Sequence, residues 1–144
     1  MPRRSIRTPA WAWSRLGWLE NYVGNPKEAI ANFERSLRLS PYDPMNFNNY
    51  VGLGSANEIL ENFDRAAGYF RRALAERPNA TWIFWHLASS LFGAGQRDEA
   101  QRAFARMMKI YPGMTISRFR QAMRFEPATI DRMAEKLRRL GLPE

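Results

Sequence analysis

Residues 81–112 read TWIFWHLASSLFGAGQRDEAQRAFARMMKIYP, and this stretch decides the fold. Apolar residues recur at three- and four-residue spacing in its first half, through Trp82, Phe84, Trp85, Leu87, Ala88 and Leu91. The spacing returns in Ala100, Phe104, Met107 and Met108, with Gly93-Ala94-Gly95 interrupting it between the two halves. That is the periodicity of two amphipathic helices joined by a tight turn. Neither helix can bury its apolar face alone, so the pair requires neighbours of its own kind.

Those neighbours lie upstream. Thirty-four residues before Phe84, Leu87, Ala88, Ala100, Phe104, Met107 and Pro112 stand Tyr50, Leu53, Gly54, Ala66, Phe70, Ala73 and Pro78. Thirty-seven residues earlier again stand Trp13, Leu16, Gly17, Ala29, Phe33, Ser36 and Pro41, the extra three falling in the connection 42–46. The pattern has a physical reading. A glycine or alanine on the first helix and an alanine on the second let the pair approach closely. Phe33, Phe70 and Phe104 fill the space where the helices diverge, and the prolines end each unit. Asn25-Pro26-Lys27-Glu28 reads as a helix start, with Asn25 as the cap and Pro26 in the first turn, and Asn62 is the corresponding cap in the middle unit. Gly24 and Gly95 suit the turns inside the outer units, where the middle unit carries Glu61-Asn62. Helices are therefore expected at about 10–23, 26–39, 45–60, 63–76, 79–93 and 96–110.

Three phased copies of this pattern resemble the tetratricopeptide repeat, whose bulky residue, Leu-Gly, Ala, Phe, Ala and Pro stand at fixed offsets over about 34 residues. The resemblance covers residues 10–112 and implies an all-α, right-handed α-solenoid of three helix-turn-helix repeats (about 10–43, 47–80 and 81–114). Departures from the family pattern are Glu20 and Asn57 where a large residue is usual, and Ser36 and Met107 at the later small position. A basic segment, residues 1–9, precedes the array. Residues 113–144 follow it as capping helices, with Ile116, Phe119 and Met123 on one side of a short helix. Ile130, Met133, Ala134, Leu137 and Leu140 form the apolar stripe of a second, over about 128–140. A solenoid needs such a cap, because its last repeat otherwise exposes an apolar end. Gly113-Met114-Thr115-Ile116, Arg118-Phe119-Arg120 and Leu140-Gly141-Leu142-Pro143-Glu144 are also similar to the tail following such repeats in bacterial, rhizobial-type adenylate cyclases. That similarity implies a regulatory arm of a cyclase or related multidomain regulator, or a stand-alone relative.

Composition narrows the function. The 144 residues carry no cysteine and a single histidine, His86, so no thiol chemistry, His-pair metal site or Ser-His-Asp triad can be built. There is no phosphate-binding GxxxxGK[ST] loop, and Gly52 and Gly54 lack the preceding strand that a dinucleotide fingerprint requires. Asp98-Glu99 fits the first turn of a helix, where carboxylates complement the dipole. The chain therefore reads as a non-enzyme with no cofactor and no metal. No apolar run is long enough to span a bilayer, and no signal peptide is apparent. A cytoplasmic, bacterial protein is expected. The net charge of +8 comes from basic residues scattered among Glu and Asp along helices, a distribution that speaks against nucleic acid as the partner.

In the family, the first helix of each repeat lines the concave face, where partners bind. Helical projection puts Trp11, Ser14, Arg15, Trp18, Asn21 and Tyr22 there from the first unit, and Asn48, Val51, Gly52, Ser55, Glu58 and Ile59 from the second. The third unit adds Trp82, Trp85, His86, Ser89 and Phe92. Relatives that capture chaperone C-termini hold the terminal carboxylate with a Lys and Asn clamp. Here Ser14, Trp18, Gly52, Trp82 and His86 stand at the clamp positions, so that ligand is not expected. The candidate groove residues are Trp11, Trp18, Tyr22, Asn48, Trp82, Trp85, His86 and Phe92. Their aromatics have three readings: anchors for a partner peptide or helix, a seat for the C-terminal helix folding back, or added core between repeats. Self-association through exposed aromatics, giving a homo-oligomer, is a further alternative. Arg35, Arg72 and Arg106 recur once per repeat on the second helices, as a solvated row or a surface for an acidic partner.

Overall fold

The computed structural model describes residues 7–144, so Arg3 and Arg4 of the basic N-terminal segment lie outside it. The described residues form eight helices and no strand. Three hairpins come first: α1 (Ala10–Tyr22) with α2 (Pro26–Leu39), α3 (Asn46–Ile59) with α4 (Phe63–Glu76), and α5 (Ile83–Gly93) with α6 (Arg97–Ile110). The short α7 (Ile116–Ala122) and the longer α8 (Pro127–Leu140) follow. Within the array each hairpin packs on the next, α2 against α3 and α4 against α5.

The repeat pattern sets this packing directly. Ala29, Ala66 and Ala100 are fully buried, and Phe33 and Phe70 are completely enclosed. The glycines at the repeat-matched positions make room for phenylalanine rings, not for a neighbouring backbone. A Cβ on Gly17 would stand 2.7 Å from the Phe33 ring, and one on Gly54 would stand 2.6 Å from the Phe70 ring. Gly52, projected onto the groove, also faces Phe33, and Val51 is fully buried. The third repeat has Ala88 in place of the glycine, itself fully buried.

Local details depart from expectation at helix starts. Asn25 and Asn62 sit at N-cap positions, yet neither side chain caps its helix. The Asn25 amide instead donates to the Glu20 carboxylate, 2.8 Å away. Thr115 does cap: its hydroxyl accepts from the Arg118 N–H at 3.1 Å. Helix α5 begins at Ile83, four residues later than expected, because the chain after Pro78 turns tightly before entering the helix. The Ile83 N–H reaches Ala80 O, and the Phe84 N–H reaches Thr81 O, each at 3.1 Å. The turns inside the repeats all need a left-handed residue. Gly24 (φ 83°) and Gly95 (φ 78°) supply it in the outer repeats, and Glu61 (φ 62°) occupies the matched position in the middle one.

Residues 113–144 close the array. Met133, Ala134, Leu137, Leu140 and Leu142 are buried together with Ile116 and Phe119, and α8 packs on α5 and α6. The Ile116 N–H donates to Pro143 O at 2.8 Å, tying the end of the chain back to α7. The link between α7 and α8 is extended (ψ 143° at Met123, 149° at Glu126), which carries it off the end of the array and over its inner face.

Candidate partner-binding cleft

On the inner face a buried carboxylate organises three helices. Glu58 of α3 is 4% exposed and accepts from Ser89 Oγ at 2.7 Å, from Ser90 Oγ by a short contact, and from Lys136 Nζ of α8 at 3.2 Å. The Lys136 ammonium also lies 4.0 Å from the centre of the Phe63 ring. A buried carboxylate is tolerated when its lone pairs are filled, and here two hydroxyls and an ammonium fill them. The sequence carried a faint signal for this cluster: one acidic residue in the otherwise uncharged α3, and a Ser-Ser pair on the apolar α5.

Phe125, on the extended link, reaches the first repeat. Its ring centre is 5.8 Å from that of Tyr22 and 6.5 Å, edge to face, from that of His86. Thr129 and Met133 of α8 close a small void with Ser55, Glu58 and Ile59 of α3. The C-terminal segment thus lies against the inner helices of all three repeats, which is the fold-back reading of the groove. What it leaves open is a cleft of about 360 Å³ lined by Trp18, Tyr22, Asn48, Trp82, His86 and residues 122–125.

The eight candidate residues divide. Trp18 and Tyr22, one turn apart on α1 (ring centres 5.8 Å), form one wall. Trp82, immediately before α5 and 40% exposed, stands edge to face with His86 at 6.3 Å and forms the other. Asn48 supplies a polar group between them. The remaining three do not line the cleft. Trp11 is 64% exposed near the N-terminus of α1. Phe92 lies half-buried beneath the Arg97 guanidinium at 4.2 Å. Trp85 is buried against Tyr111 (5.3 Å) and Phe119 (5.9 Å), because the capping segment covers the side of α5 that would otherwise be open. Its placement is that of a core residue.

His86 is stacked on Phe70 at 5.4 Å, and burial lowers its pKa from the ordinary 6.5 to about 4. It is neutral at pH 7, so the cleft wall it forms is uncharged. The charged group lining the cleft is Arg124.

The arginine row has a structural partner in every repeat. Arg35 lies over Trp13 (4.5 Å), Arg72 over Tyr50 (4.3 Å) and Arg106 over Phe84 (5.3 Å), so each ties the second helix of a repeat to the first aromatic of the same repeat. No group of three or more His, Asp or Glu side chains among the described residues could hold a metal. No described helix is long and apolar enough to cross a membrane.

Comparison with known proteins agrees with this architecture. Tetratricopeptide repeat profiles match residues 14–81 and 60–124. The peroxisomal targeting signal receptor of Eremothecium gossypii is 28% identical over 125 residues, which take in 78% of this chain and 22% of the receptor. Superkiller complex protein 3 of Homo sapiens is 26% identical over 107 residues, 74% of this chain and 7% of that protein. The chain therefore spans less than a quarter of either curated relative. Among solved structures, the first tetratricopeptide domain of Spaghetti bound to an HSP90 peptide superposes with a TM-score of 0.67 at 18% identity, covering 91% of this chain and 89% of that one. The crystal structure of MamA superposes with a TM-score of 0.66 at 22% identity, covering 91% and 75%.

Proposed function

The chain belongs to the tetratricopeptide repeat family, and from that premise we propose that it is a non-catalytic interaction module whose cleft takes an extended peptide of a partner protein. One observation carries this reading: side chains from three repeats and the capping segment converge on one aromatic-walled opening. Its volume suits one or two side chains and is too small for a helix about 10 Å across. An aromatic or branched apolar residue of the partner enters between Trp18, Tyr22 and Trp82, where rigid aromatic walls cost little ordering entropy. Asn48 offers the peptide backbone a donor and an acceptor. Arg124 and the net charge of +8 favour acidic residues beside the apolar anchor. The HSP90 peptide of the structural neighbour is not carried over, because the Lys and Asn clamp positions hold Ser14, Trp18, Gly52, Trp82 and His86 here.

The test is selection of a displayed random-peptide library on the wild-type protein and on Trp82→Ala and Asn48→Ala variants, each verified as folded by circular dichroism. Enriched peptides with an aromatic or branched apolar anchor, losing at least tenfold in affinity for Trp82→Ala, support the cleft. Peptides that bind all three proteins equally, or no enrichment at all, reject it.

A further inference from the structure

The face of α1 turned away from α2 and α3 is a helix-docking surface with no helix on it among the described residues. Leu16 and Leu19 of α1, with Val23 at its C-cap, correspond in repeat register to Leu53, Ala56 and the C-cap Leu60 of α3, and to Leu87, Ser90 and the C-cap Ala94 of α5. In α3 and α5 this stripe receives the second helix of the preceding repeat, so Leu53 is 1% and Leu87 6% exposed, and Ala56 and Ser90 are fully buried. On α1 the same positions are 41%, 57% and 59% exposed. Three neighbouring apolar side chains at half exposure on one stripe mark an interface, unlike apolar residues scattered singly.

We propose that this stripe pairs with the same stripe of a second copy, giving a parallel α1–α1′ dimer. Two features select that occupant. The opposite end of the array is already closed: Met107 of α6 and Leu137 of α8 are fully buried, so the cap blocks head-to-tail stacking of copies. The α1 sequence is also self-complementary. Ala12, Leu16, Leu19 and Val23 recur with spacings of four, three and four, the seam of a two-stranded coiled coil. Arg15 and Glu20 flank that seam at the positions that meet across a parallel pair, five residues apart, so the dimer gains two Arg15–Glu20 ion pairs between copies. A free 13-residue helix would be marginal in water. Packing against α2 and α3 already holds α1 helical, so pairing does not have to order it.

Sedimentation equilibrium across a wide concentration range reads the outcome directly, as a mass moving from 16.8 kDa towards twice that value. Leu19→Glu, at a position exposed in the single chain, is expected to weaken dimerisation more than tenfold with the circular dichroism spectrum unchanged. Arg15→Glu and Glu20→Arg are each expected to weaken it, and the Arg15→Glu/Glu20→Arg double variant to restore it, because the exchanged charges meet again. A wild-type chain that stays at 16.8 kDa throughout overturns the proposal. Dimers indifferent to Leu19→Glu also overturn it. Failure of the double variant to recover overturns the parallel pairing. The cleft residues are untouched by these variants, so this test and the peptide selection fail or succeed separately.

Discussion

Lys136 reaches back 78 residues to Glu58, placing its Nζ 3.2 Å from a carboxylate oxygen that is itself 4% exposed. This pair holds the cap to the middle repeat, and both groups are largely out of water. Removing one partner of such a pair costs more than removing both, because the survivor is left uncompensated.

Lys136→Met is therefore expected to lower unfolding stability by about 3 kcal/mol. Adding Glu58→Gln, which removes the unpaired buried charge and whose amide can accept from one of Ser89 and Ser90 through its oxygen and donate to the other through its NH2, should return part of that loss. Urea denaturation of the two single variants and the double measures the coupling. Strictly additive losses would show that the ion pair does not hold the cap.

Glu61 adopts φ 62°, the conformation its repeat-matched partners Gly24 and Gly95 adopt as glycines. A left-handed non-glycine residue costs about 1–2 kcal/mol. Against this, the Glu61–Arg132 ion pair (3.5 Å, both side chains exposed) is worth about 0–1 kcal/mol. Glu61→Gly should raise stability by up to about 1 kcal/mol. A clear loss of stability in a chemical melt would falsify the strain argument.

His86 links folding to pH. Its pKa is 6.5 when exposed and about 4 when folded, so between those values the unfolded chain binds more protons. The contribution is fully present above pH 6.5 and is lost as the pH falls towards 4, amounting to about 3 kcal/mol at the low end. Glu58 shares the small void beside His86, and Arg124 lines the open cleft. His86→Phe should flatten the stability profile between pH 6.5 and 5, leaving the carboxylate-driven loss at lower pH. Parallel profiles for the two proteins would rule out His86 as the titrating group.

The two tryptophans of α5 and its leading turn should behave oppositely. Trp85→Ala opens a cavity between α5, Tyr111 and Phe119, and is expected to cost about 3–5 kcal/mol. Trp85→Phe should cost far less, since the buried indole N–H has no acceptor among the described residues. Trp82→Ala should change stability by less than about 1 kcal/mol, its effect falling on peptide binding. Equal melting losses for Trp82→Ala and Trp85→Ala would contradict the assignment of one to the cleft and the other to the core.

The contrast shows what a single sequence can and cannot convey. The six repeat helices were legible because Trp13, Tyr50 and Phe84, with their following Ala, Phe and Pro residues, repeat a local rule three times. Local rules reach as far as contacts within a repeat and to its neighbour. Trp82 and Trp85 look alike under such rules, both apolar and both near the inner face. Only the path of residues 113–144 separates them, and that path depends on Lys136 meeting Glu58 and Phe125 meeting Tyr22. Asn25 shows the same limit at close range, since its side chain had a competing acceptor in Glu20. The late start of α5 arose from the turn at Ala80 and Thr81, which pattern alone does not reveal.

A linear stack of repeats can loosen from either end, one unit at a time, because each unit touches its neighbours alone. The Phe125–Tyr22 contact joins the end of this stack to its beginning. Peeling the first repeat away therefore strips the link between α7 and α8 as well, and the outermost unit is no longer the one that frays most freely. The same contact can form only after roughly a hundred intervening residues have been brought into place, so it is made late in folding. Its loss early in unfolding should make the whole array come apart as one.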